Sequence, residues 1–167
     1  MNDLPYVTPD RDLSLNLALS VLVIKHLGRS ARGIPLINEE RLGIYLYLLK
    51  NPLILCRALA KHGRITPSLR EDESLSINSI SVNVDSLFDR HWTKSLIKNL
   101  LARNLISIDY RKKDGFMLSL TANGDHVVEK LSSEYFQRIK YLLSFLEQSK
   151  SDTTSALQKQ LNSTFSS

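Results

Sequence analysis

The spacing of apolar residues changes period twice within residues 85–131, and this stretch predicts the centre of the fold. After Trp92 the apolar positions recur every three or four residues, which indicates one face of a helix that ends near Arg103-Asn104. The period then becomes two on either side of a polar turn that contains Asp114-Gly115, which predicts a hairpin. The alternating apolar positions are Ile106, Ile108, Tyr110, Phe116, Leu118 and Leu120. Thr121 follows as the cap of a second helix, so the predicted order is helix, hairpin, helix.

Two further helical regions precede this stretch. Residues 13–27 are nearly continuously apolar, which predicts a helix that is buried on most sides. Asn38 predicts the start of the next helix, and Asn51-Pro52 predicts a corner between two short helices. Residues 64–84 read as a loop, with a short strand predicted at Leu75, Ile77, Ile80 and Val82. Whether residues 64–84 are ordered without a partner is left open by the sequence, and Asp85 or Asp89 caps the helix that follows.

The last apolar pattern runs without interruption from residue 122 to about residue 148, which predicts one long C-terminal helix. The fold class predicted from these elements is α+β and predominantly α. It comprises a winged helix-turn-helix core with an extra N-terminal helix and the long C-terminal helix. We expect an extended arm at residues 1–12, one domain at 13–148, and a mobile tail at 149–167 with one weak helix around residues 157–161.

Composition narrows the class of protein. The chain has 167 residues, of which 43% are hydrophobic, so one domain with a full core is expected. The net charge of +5 favours an acidic partner only mildly. Cys56 is the single cysteine, which excludes an intrachain disulfide and fits a reducing cytoplasm. The start of the chain shows no basic signal sequence, and the apolar run at residues 13–24 is too short to span a bilayer.

The sequence contains no constellation typical of an enzyme. It has no phosphate-binding glycine loop and no paired cysteines, and its four histidines lack the spacing of metal ligands. Cys56 lies among leucines and reads as a small core residue rather than a nucleophile. We therefore expect no catalytic residues, no metal, no cofactor and no small-molecule substrate.

Basic residues on the predicted central helix and hairpin are candidates for contact with DNA or with an acidic partner. Arg90, Lys94 and Lys98 recur every four residues and so share one helix face. Arg111, Lys112 and Lys113 lie in the hairpin turn, where they would touch phosphates. The alternative for both groups is an ordinary solvated surface, and Asp89 and Asp114 beside them weaken the positive field.

The first and last helices carry more apolar residues than a winged core alone needs. These two helices either cover each other or form an interface with another protein. The candidate interface residues are Leu17, Val21, Ile24, Tyr135, Phe136, Tyr141 and Phe145.

Several segments together resemble the middle components of ABC-three-component systems, which include the Lamassu-type bacterial defence complexes. The segments are Gly33-Ile34-Pro35-Leu36, residues 42–52, residues 83–89, Asp114-Gly115-Phe116, Leu120-Thr121-Ala122-Asn123-Gly124 and Ser133-Glu134-Tyr135-Phe136. The resemblance covers about residues 13 to 147, although the Leu-Thr-x-x-Gly turn also occurs in many winged-helix regulators.

This resemblance implies a non-catalytic subunit that bridges a large coiled-coil ATPase, related to the structural-maintenance-of-chromosomes (SMC) proteins, and an effector nuclease. Such complexes act against plasmids or phage by sensing DNA, with the ATP site and the cutting site on other chains. The alternative is a homodimeric winged-helix transcription regulator that reads an operator with Arg90, Lys94 and Lys98. A third hypothesis is a structural adaptor that makes no contact with nucleic acid.

Overall fold

The computed structural model describes residues 12–75 and 89–166. In chain order the described elements are α1 (Leu13–Leu27), α2 (Glu39–Lys50), α3 (Pro52–Lys61), α4 (Glu71–Ser74), α5 (Arg90–Ala102), β1 (Ile106–Arg111), β2 (Gly115–Leu120), α6 (Ala122–Lys130), α7 (Glu134–Leu146), a 3-10 turn (Glu147–Ser149) and α8 (Thr154–Phe165). The fold is α+β and predominantly α, as predicted. The predicted arm at 1–12, except for Asp12, lies outside the described residues, as do Asp85 and all of the predicted 75–82 strand but Leu75.

Helix α1 is the axis of the core. Asp12 caps it by accepting a hydrogen bond from the Leu15 amide at 3.0 Å. The helix packs against α2, α5, α6, α7 and β2, so most side chains from Leu17 to Leu27 are buried. A helix that is covered on several sides needs apolar residues on several faces. This explains the nearly continuous apolar run, and the prediction of a buried helix is confirmed.

The corner between α2 and α3 also forms where the sequence predicts it. Asn38 caps α2 by accepting a hydrogen bond from the Arg41 amide at 2.9 Å. Asn51 ends α2, and Pro52 occupies the first position of α3, where its missing N–H costs nothing. The chain direction bends by 111° between the two helices. The opposite, N-terminal end of α2 lies beside α5 and the hairpin.

The helix, hairpin, helix order of residues 89–130 is confirmed. Asp89 caps α5 through the Trp92 amide, and Asn104 takes a positive φ of 54° after the helix ends. Strands β1 and β2 pair in the predicted register, with Ile106 opposite Leu120, Ile108 opposite Leu118 and Tyr110 opposite Phe116. Residues 112–114 form the turn, and Gly115 alone takes the positive φ, at 77°. Thr121 caps α6 through the Gly124 amide at 3.1 Å.

The prediction of one long C-terminal helix is wrong. Residues 122–148 form two helices, α6 and α7, which are separated at residues 131–133. Leu131 leaves the helical conformation with ψ of 81°, and Ser133 starts α7 by accepting a hydrogen bond from the Phe136 amide. Adjacent serines offer the backbone such alternative hydrogen bonds, so the helix can restart in a new direction within three residues.

Helix α8 replaces the expected mobile tail. It spans twelve residues, is capped by Thr153 and packs on α2 and α3. Leu157, Leu161 and Thr164 are buried at successive turns, although the segment between them is polar. The apolar stripe is only one side chain wide, so the sequence pattern showed no more than a weak helix. Among the described residues, no single helix is long and apolar enough to cross a membrane.

Candidate functional site

The predicted basic residues of α5 are all exposed, and two of them line a groove. Arg90 and Lys94 form one wall of a cleft of about 310 Å³ between α5, α2, the hairpin turn and α8. Glu39 and Glu40 from the first turn of α2 line the cleft as well. Lys98 lies farther along α5 and does not line this cleft. We call this cleft the mixed-charge groove.

The other sides of the mixed-charge groove come from distant parts of the chain. Asp114 and Phe116 contribute from the hairpin, and Gln158 and Leu161 contribute from α8. Gly43 lies where α2 passes α5. A Cβ atom added at this glycine would stand 3.7 Å from the Thr93 hydroxyl, which is ordinary van der Waals contact. The groove could not be predicted from the sequence, because its walls come from α2, α5, the hairpin and α8, which lie far apart along the chain.

The hairpin turn presents fewer free cations than the sequence indicated. The Arg111 guanidinium lies 3.6 Å from the Asp114 carboxylate, so these two charges offset each other. Lys112 and Lys113 are exposed at the end of the turn. Beside them lie Tyr110 and Phe116, with ring centroids 5.3 Å apart. These two rings, which sequence analysis treated only as strand residues, are 69% and 66% exposed.

The predicted apolar interface is divided between the core and the surface. Leu17, Val21 and Ile24 are buried within this chain, which leaves them no surface to offer a partner. Phe136 and Phe145 are partly buried against the same core, whereas Tyr135 and Tyr141 are exposed. Helix α1 packs on α7, so the two apolar helices do cover each other, as one of the two hypotheses stated.

The exposed side of α7 instead holds residues 64–75 in place. Gln148 exchanges two hydrogen bonds with the backbone of Ile65, at 3.0 and 2.8 Å. The Tyr141 hydroxyl accepts a hydrogen bond from the Ser68 amide at 3.2 Å. Arg138 forms a two-pronged ion pair with Glu73, at 2.7 and 2.5 Å. Residues 64–75 are therefore ordered by contacts within the chain.

The Arg138–Glu73 pair is nearly enclosed, with both side chains less than one-seventh exposed. Burial on its own would raise the pKa of the Glu73 carboxyl. The hydrogen bonds from Arg138 and from the Arg70 amide outweigh burial, and they lower that pKa overall. The pair therefore stays charged at neutral pH and acts as a clasp between α4 and α7.

The described residues form no cluster of metal ligands, and Cys56 is not an activated thiol. Among residues 12–75 and 89–166, no group of three or more His, Cys, Asp or Glu side chains could hold a metal ion. Burial raises the pKa of the Cys56 thiol, and its Sγ donates to the Pro67 carbonyl at 3.5 Å. A thiol held in its protonated form is a poor nucleophile, which agrees with the reading of Cys56 as a packing residue.

Comparison with known proteins gives one match. A family model described as ABC-three component (ABC-3C) system Middle Component 4 matches residues 27–159. No curated protein and no solved structure matches the chain. The matched range begins at the last residue of α1 and ends within α8, and it includes the hairpin and every residue of the mixed-charge groove except Leu161.

Proposed function

The chain belongs to the middle component 4 family of ABC-three-component systems, and from this membership we propose that it joins the other components of such a system. An accessory role in a multi-subunit system follows from the family itself. We further propose which proteins the partners are. One is a large SMC-like coiled-coil ATPase and the other is an effector nuclease, in a Lamassu-type complex that senses DNA and acts against plasmids or phage. In this arrangement the chain is cytoplasmic and non-catalytic, and it needs no cofactor.

The observation that carries the proposal is the extent of the family match, which covers residues 27–159 and therefore most of the folded chain. The surface of the hairpin supports it. Tyr110 and Phe116 are two large aromatic residues exposed side by side, and exposed aromatic residues are enriched at protein interfaces. We also propose that α2, α3, α5 and the hairpin form a winged helix-turn-helix. The Asn51-Pro52 corner and the order of α5, hairpin and α6 support this assignment.

Co-purification tests the proposal. The chain is expressed with an affinity tag, together with the ATPase and the effector of the same system. We expect both proteins to be retained on the resin at salt concentrations that remove proteins bound only through exposed charges. Elution of the tagged chain alone, as a stable homodimer, would contradict the proposal and favour the regulator.

Contact with the DNA backbone is a second proposed role, and it is supported by the exposed cations Lys98, Lys112 and Lys113. Because these residues would meet phosphates rather than base edges, binding should be independent of sequence and should weaken steeply with salt. A gel-shift titration of two unrelated duplexes tests this role. Equal affinity for both duplexes supports backbone contact. A strong preference for one duplex would favour the operator-reading regulator, and no shift would assign the cations to solvent.

A further inference from the structure

The apolar face of the hairpin extends beyond the core that it covers. Ile106 and Leu118 on this face are buried at the core end of the hairpin. Tyr110 and Phe116 continue the same face towards the turn, where their rings contact each other and little else of the chain covers them. Exposing two neighbouring aromatic rings forgoes a large hydrophobic gain, so a surface of this kind marks a docking site. We call Tyr110 and Phe116 the tip aromatic pair.

The mixed-charge groove begins at Phe116 and presents charges of both signs. Glu39 and Glu40 line it from α2, and Arg90 and Lys94 line it from α5. Within the described residues, no ion pair joins these acidic side chains to the basic ones. Both sets of charges therefore line the same groove without forming an ion pair, which leaves both available to an occupant.

The charge pattern separates the classes of occupant. A nucleic acid would bring negative charge alone, and it would meet Glu39, Glu40 and Asp114 at close range. Like charges at such range cost affinity. A peptide can bring a basic side chain to α2, an acidic side chain to α5 and an apolar side chain to the aromatic pair. Only the peptide complements every feature of the surface.

We propose that the mixed-charge groove and the tip aromatic pair together bind a peptide segment of a protein partner. In that segment a bulky apolar residue lies on Tyr110 and Phe116. A basic residue of the segment faces α2 and reaches Glu39 and Glu40. An acidic residue faces α5 and reaches Arg90 and Lys94. This inference rests on the proposed function, because the partner is taken to be another subunit of the same system.

The test measures affinity for each of the two proposed partner subunits, purified separately, by biolayer interferometry with the full-length chain immobilised. The first variant is Tyr110→Ala with Phe116→Ala. We expect its dissociation constant for one of the two subunits to rise at least tenfold, as truncation of central aromatic residues does at interfaces. The matched control is Ile65→Ala with Leu75→Ala, which truncates two side chains that are at least as exposed but lie elsewhere. The control should bind as the unchanged chain does, and thermal melts should show all variants folded.

A second variant separates the peptide from nucleic acid. Glu39→Gln with Glu40→Gln removes two of the three carboxylates that line the groove and nearly preserves the shape of both side chains. A peptide occupant predicts weaker binding of the same subunit, whereas affinity for a labelled duplex DNA should rise for any occupant because two negative charges are lost. Unchanged subunit binding with tighter DNA binding would overturn the inference and assign the groove to nucleic acid.

The proposed function and the proposed docking site can fail separately. If the unchanged chain binds neither subunit, the proposed function fails and the inference fails with it. If the unchanged chain binds a subunit and the Tyr110→Ala, Phe116→Ala variant binds it equally well, the function stands and this docking site is refuted.

Discussion

A buried guanidinium, that of Arg41, helps to hold the connection between α7 and α8, and replacing it gives the sharpest prediction about stability. Arg41 on α2 is 5% exposed. It donates to the Asp152 carbonyl at 2.6 Å, to the Lys150 carbonyl at 3.0 Å and to the Tyr45 hydroxyl at 3.1 Å. Arg41→Met keeps most of the apolar stem of the side chain and removes all three hydrogen bonds.

The size of the effect follows from these contacts. A hydrogen bond from a charged donor contributes about 1.5–3 kcal/mol, and the carbonyls lose their donor in a partly buried place. Part of the loss is offset because a charge no longer has to be buried. We therefore expect the free energy of unfolding to fall by about 2–3 kcal/mol, which is a large share of the stability of an ordinary domain, about 5–15 kcal/mol.

Urea unfolding followed by circular dichroism measures the change, and hydrogen exchange locates it. Exchange should accelerate first in residues 150–165, because Arg41 holds the connection that leads into α8. The matched control is Arg57→Met on the exposed side of α3, which should change stability by less than about 0.5 kcal/mol. Equal effects of the two substitutions would refute the assignment of Arg41 as the anchor of α8.

Three further predictions concern single side chains. Burial lowers the pKa of His26 below 6.5, so the unfolded chain binds this proton first. The free energy of unfolding should therefore fall as the pH drops below about 6.5, and His26→Asn should flatten that fall in urea titrations. The buried Tyr47 hydroxyl has no hydrogen-bond partner among the described residues, so Tyr47→Phe should leave the melting temperature unchanged or raise it, whereas Tyr45→Phe should lower it. Arg138→Gln breaks the clasp on residues 64–75, and limited trypsin digestion should then cleave this segment faster than in the unchanged chain.

The hairpin and its flanking helices could be predicted because their signals are local. The alternation of Ile106, Ile108 and Tyr110 gives the strand, and the Asp114-Gly115 turn gives the register. The caps Asn38 and Thr121 were also visible in the sequence, since each bonds an amide only three residues away. Elements of this kind need no knowledge of the rest of the fold.

The features that sequence analysis missed depend on tertiary contacts. Nothing in the local sequence marks Arg41 as buried, and only the fold reveals that it bonds to residues 150 and 152. The break at Ser133 is hidden because the apolar spacing continues through it. The mixed-charge groove unites α2, α5, the hairpin and α8, so no single stretch of sequence contains its pattern. The isolated pairing of Ile37 with Leu118 was missed for the same reason.

The central claim is that this chain physically joins two other proteins, and the mass of the assembly tests it most directly. The ATPase and the effector are purified separately, mixed with and without this chain, and measured by size-exclusion chromatography with light scattering. We predict one species with the summed mass of all three proteins when the chain is present, and separate ATPase and effector when it is absent. Association of the ATPase with the effector in its absence, or elution of this chain apart from both, would contradict the account.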